Sequence, residues 1–304
     1  MQRGVGVALA LAAACGSGKA TSFDVQEIAK GVFVHEGRML ALDAPGHDDI
    51  ANLGFVIGER CVAVIDAGGS LRTGRALRDA IGARTKLPVC YVIDTHVHVD
   101  HVLGNAAFKP DRPSFVGSAA LAPAIEASRR YFVDHYADDL DAPASADQIV
   151  APDMLVASTQ VLDLGKRTLT LRAWPKAHTD SDLTVVVDDA GVLFAGDLLF
   201  VDRVPALDGS AKGWIAAIDA LSKAHAKTIV PGHGPIAHDA AAAFAPERRY
   251  LQVLIDGVRD EIAQGKPIDD ATLHVGASER ARWQLFDTAN AHNVSLVYRE
   301  LEWE

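Results

Sequence analysis

The chain has 304 residues, of which 49% are hydrophobic and 23% charged, and its formal net charge is −11. That length allows one large domain or two small ones, and the balance is that of a soluble globular protein. The acidic excess argues against nucleic acid as a partner, because holding phosphates requires clustered Lys and Arg.

In chain order, residues 1–20 read as an export signal. Arg3 supplies a short basic start, Val5 through Ala14 are apolar apart from one Gly, and Cys15 follows Ala12-Ala13-Ala14, which suits cleavage after small residues. The apolar stretch is too short to span a bilayer as a mature helix. Cys15 is alternatively the lipidated first residue of a bacterial lipoprotein, attached to a membrane, although Ala12 stands where such signals usually carry Leu. Either route predicts a periplasmic or exported protein.

Residues 21–240 alternate strand-like and helix-like patterns. Strands are expected at Gly31–His35, Gly54–Gly58 and Val62–Asp66, with a long loop from Glu36 to Asn52 that is either a lid or an ordinary surface excursion. A helix over Ser70–Ala83 and a strand over Val89–Ile93 complete a β-α-β unit. A helix over 118–136, with Leu121, Ile125, Tyr131 and Phe132 on one face, is followed by an Asp-, Ala- and Pro-rich loop to Asp153. Strands resume at 160–164, 168–174, 183–187 and 192–195; then come a helix over 212–225 and a strand over 228–230. Residues 241–304 are expected to be helical and to pack on the same domain, with Leu251, Leu254, Ile255, Val258 and Ile262 at helix spacing. Cys61 and Cys90 lie in apolar strand-like runs; they are either two small core residues or, if the strands are neighbours, a disulfide.

The densest chemistry follows the 89–93 strand. His96, His98, Asp100 and His101 fall within six residues. Three imidazoles and a carboxylate would waste polar surface in a core, and a metal is the ordinary reason to gather them. Further donors follow beside small residues: His178 in Ala-His-Thr-Asp-Ser-Asp, Asp197 in Phe-Ala-Gly-Asp, and His233 in Val-Pro-Gly-His-Gly. Thr179 and Ser181 are placed to hold His178 through local hydrogen bonds. Asp66 and Asp94 are either orienting partners for the histidines or strand-end turn residues. His47 in the long loop and Arg203 after Asp197 are candidate substrate contacts. Arg203 would bind an anionic group or, equally, form a structural ion pair. His35, His135, His225, His238, His274 and His292 lie outside the pattern and read as surface or packing residues.

From about Asn52 to Pro235 this pattern resembles the metallo-β-lactamase superfamily. The family's H-x-H-x-D-H motif is matched by His96, His98, Asp100 and His101, and its later His, Asp and His by His178, Asp197 and His233. The resemblance implies an α/β fold, a four-layer αβ/βα sandwich, with a helical C-terminal extension. It implies two zinc ions, or iron or a mixed pair. His96, His98 and His178 would hold one ion, Asp100, His101 and His233 the other, and Asp197 would bridge them. Two divalent ions against Asp100, Asp197 and a bridging hydroxide leave a net charge of about +1, which favours a developing oxyanion. The implied activity is hydrolysis of a small-molecule ester, thioester, lactone or lactam-like carbonyl by the bridging hydroxide, with Asp100 and Asp197 as the catalytic carboxylates.

β-Lactam-hydrolysing members usually lack an acidic bridge at the position of Asp197, which lowers that reading. Asp100 through Phe108, Gly196 through Phe200, Arg203-Val204-Pro205 and the Glu-Leu-Glu-Trp-Glu terminus look closer to the quinoprotein relay system zinc metallohydrolases. That implies a link to periplasmic quinoproteins. The alternatives are an iron persulfide dioxygenase-like enzyme, whose motif residues are similar, and a metal-containing accessory protein without turnover.

Overall fold

The computed structural model describes residues 23–304. The expected export signal and Cys15 lie outside them. Two sheets form the body. The first has seven strands in sequence order: β1 (Gln26–Ala29), β2 (Val32–His35), β3 (Leu53–Ile57), β4 (Val62–Ile65), β5 (Val89–Ile93), β6 (Ser114–Ser118) and β7 (Met154–Val156). β1 to β4 form an antiparallel meander, and β4 to β7 run parallel. The second has five strands: β8 (Thr159–Asp163), β9 (Thr168–Ala173), β10 (Leu183–Val187), β11 (Val192–Phe200) and β12 (Thr228–His233), in the order β12-β11-β10-β9-β8. Only the β11–β12 pair is parallel.

The sheets face each other across an apolar layer that includes Val34, Val56, Ile65 and Val116 from the first and Leu171, Val185 and Phe194 from the second. All four residues of β4 are buried, as a strand covered on both faces requires. Its outer cover is α1 (Leu71–Arg84). Ser70 caps α1 by accepting from the Thr73 N–H, and Leu71, Leu77 and Ile81 turn inward. α2 (Val99–Val102) and α3 (Leu121–His135) share a core on the same side through Val99, Val102, Ile125, Phe132 and Ile149. The other outer layer is α4 (Ala211–Leu221), α5 (Ala240–Ala263), α6 (Ile268–His274) and α7 (Phe286–Leu301), sharing one core with β11 and β12 through Trp214, Phe244, Tyr250, Leu254 and Val297. The fold is thus an α/β sandwich of two mixed sheets between helical layers, and the C-terminal helices are part of its second face.

Several local differences from the sequence expectation have physical reasons. The segment expected to be helical from 118 is a strand as far as Ser118, and the helix begins only at Leu121. The 134–153 stretch is a loop with two short 3-10 turns, Ala137–Asp139 and Ala146–Gln148, and then closes as the edge strand β7. β11 continues five residues past the expected end, so Asp197 sits inside a strand. Cys61 and Cys90 form a disulfide with Cα atoms 5.8 Å apart, because β4 and β5 are parallel neighbours. Among the described residues no helix is long and apolar enough to cross a membrane.

Candidate metal centre

The seven donors converge although the chain separates them by up to 137 positions, from His96 to His233. β5 ends in the 94–98 turn, which carries His96 and His98, and α2 carries Asp100 and His101. His178 lies in the turn before β10, Asp197 within β11, and His233 at the end of β12. They fall into two sets, His96, His98, His178 and Asp197, and Asp100, His101 and His233, each with donor atoms within 4.8 Å of one another.

Asp197 joins the sets. Its Oδ2 lies 3.7 Å from His96 Nε2, 3.4 Å from His178 Nε2 and 3.3 Å from His233 Nε2, and its Oδ1 lies 3.2 Å from His101 Nε2. Asp100 Oδ2 is 3.2 Å from His233 Nε2 and 3.6 Å from His101 Nε2. Gly232 makes this crowding feasible: a Cβ there would collide with Asp197 Oδ1.

The donor set fits divalent metal. His96 Nε2, His101 Nε2 and Asp197 Oδ1 are buried with no hydrogen-bond partner, which an apolar interior tolerates only when a cation takes that place. His98 Nδ1 and His178 Nε2 face each other at 3.1 Å, two ring nitrogens directed at one point. Nitrogen and carboxylate oxygen in these proportions are the donors zinc and iron accept.

The rings are held from behind. Asp66 accepts from the Thr95 N–H at 2.8 Å and from Thr95 Oγ1 at 2.8 Å, and its Oδ2 lies 2.9 Å from His101 Nδ1. Thr95 Oγ1 is in turn 3.0 Å from His96 Nδ1. One carboxylate therefore fixes two imidazoles with Nε2 forward. His233 Nδ1 donates to the Ile50 carbonyl at 2.8 Å, and Asn52 donates to the carbonyls of Pro231 and Gly234 on either side. Thr179 donates through both N–H and Oγ1 to Asp182 and lies 3.1 Å from Ser181 Oγ, which shapes the turn that presents His178. Asp94 hydrogen-bonds to none of the histidines; it accepts from Asn105 Nδ2 at 2.8 Å.

Electrostatics prepares the donors. Burial drives His96 well below its ordinary value and His178 down to about 3, so both rings are neutral and can donate a lone pair. Burial opposes the charge on Asp100 and Asp197, but the neighbouring histidines prevail and hold both ionised. His101 is held well above its ordinary value, because Asp197, Asp100 and Asp66 outweigh its desolvation. A cation bound here would compete with a proton for His101.

The centre opens into a cleft of about 880 Å³. Ile50, Val97, Val99, Phe132, Tyr136 and Leu207 give it mainly apolar walls, and α7 contributes Asp287, Thr288, Ala289 and His292. His292, expected to be a surface or packing residue, thus stands on the cleft wall. Asp208, not singled out from the sequence, lies 3.2 Å from His98 Nε2, 110 positions away, and no local pattern announces it. Arg203 lines the cleft and donates from Nη1 to the Leu40 carbonyl at 2.8 Å. The structure does not bring His47 onto the cleft wall. Its Nε2 lies 2.9 Å from Asp139, tying the long loop to the turn after α3, and its ring stands edge-on to Tyr136.

Residues 48–233 match the family model for the metallo-β-lactamase superfamily. Solved structures share the fold. A metallo-β-lactamase from Pontibacter korlensis aligns at 22% identity and a TM-score of 0.60, covering 75% of this chain and 98% of that one. A metallo-β-lactamase family protein from Thermus thermophilus aligns at 19% identity and 0.66, covering 91% and 94%. A stereoselective inverting sec-alkylsulfatase from a Pseudomonas species aligns at 17% identity and 0.66, covering 91% of this chain and half of the sulfatase. With the matched model spanning more than half its length and the seven donors assembled at one centre, the chain belongs to the metallo-β-lactamase superfamily.

Proposed function

We propose that the protein is a dinuclear zinc-dependent hydrolase acting on an ester, thioester, lactone or lactam-like carbonyl. The observation that carries this is the position of Asp197, within 3.2–3.7 Å of four histidines drawn from both donor sets. A single ion would leave one set without a cation, whereas two ions sharing Asp197 satisfy all seven donors. When bound, two zinc ions supply a water acidified to a pKa of about 7 and a Lewis acid for the carbonyl oxygen.

The remaining work falls to this chain's residues. His96, His98 and His178 would hold one ion and Asp100, His101 and His233 the other, with Asp197 between the two sets. Asp100 and Asp197 both line the cleft, and Asp100 is slightly the more exposed. Held ionised well below the ordinary carboxylate range by the neighbouring histidines, it would accept a hydrogen bond from the attacking water and orient it. Asp66 and Thr95 keep His96 and His101 in the tautomers that face the centre. The apolar walls exclude bulk water and so strengthen each charge interaction. Export through residues 1–20 and service beside periplasmic quinoproteins complete the reading.

The test is a panel of a chromogenic β-lactam, a thioester, a lactone and an aryl ester, run on the zinc-loaded protein and on Asp100→Asn. Turnover of one class, falling at least 100-fold in the variant, is the expected result. One iron per chain with no hydrolysis would overturn the reading in favour of dioxygenase chemistry.

A further inference from the structure

Among the cleft-lining residues, Arg203 is the cationic side chain that the metal chemistry leaves unused. It follows β11, and its backbone is pinned: Arg203 bridges Gln284, the Gln284 N–H donates to Asp202, and the Val204 N–H donates to Gln284. Its guanidinium is half-buried at the cleft wall and carries five N–H donors. One of its hydrogen bonds is accounted for, to the Leu40 carbonyl. Among the described residues it forms no ion pair within 4.0 Å. The other carboxylates of the cleft are engaged elsewhere: Asp208 with His98, and Asp287 with Arg280. Asp43, on the outer loop, forms no ion pair with it.

A desolvated cation without a counter-ion is unfavourable unless a ligand supplies one. Asp100 and Asp197 cannot fill that role in the loaded enzyme. Two divalent ions outweigh them, so Arg203 then faces a centre of net positive charge. One side of the cleft is mainly apolar, with Ile50, Val97, Val99, Phe132 and Leu207, and two further lining residues, Leu42 and Tyr131, are 42% and 53% exposed at its edge. The cleft therefore combines a greasy wall, a polarising centre and a separate, rigidly mounted fork of donors.

We infer that Arg203 is the anion receptor of this site, and that the substrate is an amphiphile: an apolar body bearing a carboxylate, or an oxyanion of similar geometry, set apart from the carbonyl that is hydrolysed. This rests on the hydrolase reading above. The Leu40 contact gives the receptor a second task, since the same guanidinium holds the 36–52 loop against the cleft. A bound anion occupies the remaining donors without displacing the loop.

The experiment compares ester pairs of equal chain length that differ in one terminal group: 4-nitrophenyl hexanoate against mono-4-nitrophenyl adipate, and the octanoate against the suberate monoester. Each is run on the zinc-loaded wild type, Arg203→Lys and Arg203→Met, with melting temperature read first. Binding of octanesulfonate, compared with octanol, is measured in parallel by calorimetry. The expected result is a preference of about 10- to 100-fold in kcat/KM for the anionic member, the range a charge-assisted hydrogen bond supports. Arg203→Met brings the preference below threefold and weakens octanesulfonate at least 10-fold. Arg203→Lys, which keeps the charge but loses the fork, retains a reduced preference, and it decides the matter if Arg203→Met does not fold. Turnover of both esters with a ratio indifferent to Arg203 overturns the anion receptor and leaves the hydrolase standing. No turnover, with octanesulfonate binding still dependent on Arg203, overturns the hydrolase and keeps the receptor. Neither turnover nor Arg203-dependent binding overturns both.

Discussion

Replacing Asp66 by Asn keeps the side chain's shape and suits its left-handed backbone, at φ 55°, but turns one carboxylate oxygen into a donor. Asp66 Oδ1 accepts from the Thr95 N–H, and that bond survives with an amide oxygen in its place. The other position meets two groups that both donate to it, Thr95 Oγ1 at 2.8 Å and His101 Nδ1 at 2.9 Å. An amide NH₂ cannot accept from either. His101 then has to move its proton to Nε2, the atom that faces Asp197 at 3.2 Å, and is lost as a donor to the cation. The effect reaches His96 only through Thr95 Oγ1, 3.0 Å from its Nδ1. Loss of an orienting partner lowers metal affinity by about 10- to 100-fold, or roughly 1.4–2.8 kcal/mol. Competition with a chromophoric chelator resolves the two binding steps. Asp66→Asn should weaken one ion by that factor and the other by less, whereas Thr95→Val should weaken only the ion of the His96 set. Both constants staying within twofold of wild type in Asp66→Asn would refute the orienting role.

Three further outcomes follow from groups around the centre. Asp208→Asn should weaken the ion of the His98 set only a few-fold, because the Asp208 side chain is 58% exposed and screened by water; a loss exceeding that of Asp66→Asn would contradict this ranking. Glu247 is fully buried and accepts from the Phe200 N–H, and burial raises its carboxyl well above the ordinary 4.5. A raised carboxylate pKa means the folded state binds more protons, so wild-type stability declines as pH climbs from about 4.5 towards the folded value. Urea unfolding of Glu247→Gln should match wild type at pH 4 and exceed it increasingly at higher pH, while parallel pH slopes would show that Glu247 is ionised in the fold. Replacing Cys61 and Cys90 together by Ser opens a crosslink between residues 29 positions apart and should cost about 3–4 kcal/mol in denaturant unfolding; a change below 1 kcal/mol would contradict it.

The ligand set was legible because its spacing is dictated by chemistry: four donors in six residues make no sense in a core except around a cation. The strands beside the later donors were legible because runs such as Leu183–Val187 and Val192–Ala195 are almost wholly apolar, as buried strands are. What escaped depends on long-range contact. β7 is three residues at a sheet edge, with Leu155 51% exposed, so its pattern does not alternate with a buried face. β6 is interrupted by Gly117 and runs almost directly into α3, which hid the boundary. Asp208 meets His98 from 110 positions away and Arg203 meets a backbone carbonyl 163 positions away, and neither partnership leaves a local trace. His47 was a candidate substrate contact because it falls in the long 36–52 loop; in the fold its ring meets Asp139, 92 positions on, and does not line the cleft.

If seven side chains hold two ions through a shared carboxylate, metal content will show it. Elemental analysis of the purified protein should give two divalent ions per chain, predominantly zinc, and Asp197→Ala should bring the count to one or fewer while the protein remains folded. One iron per chain, unchanged by removing His98 or Asp100, would contradict the account.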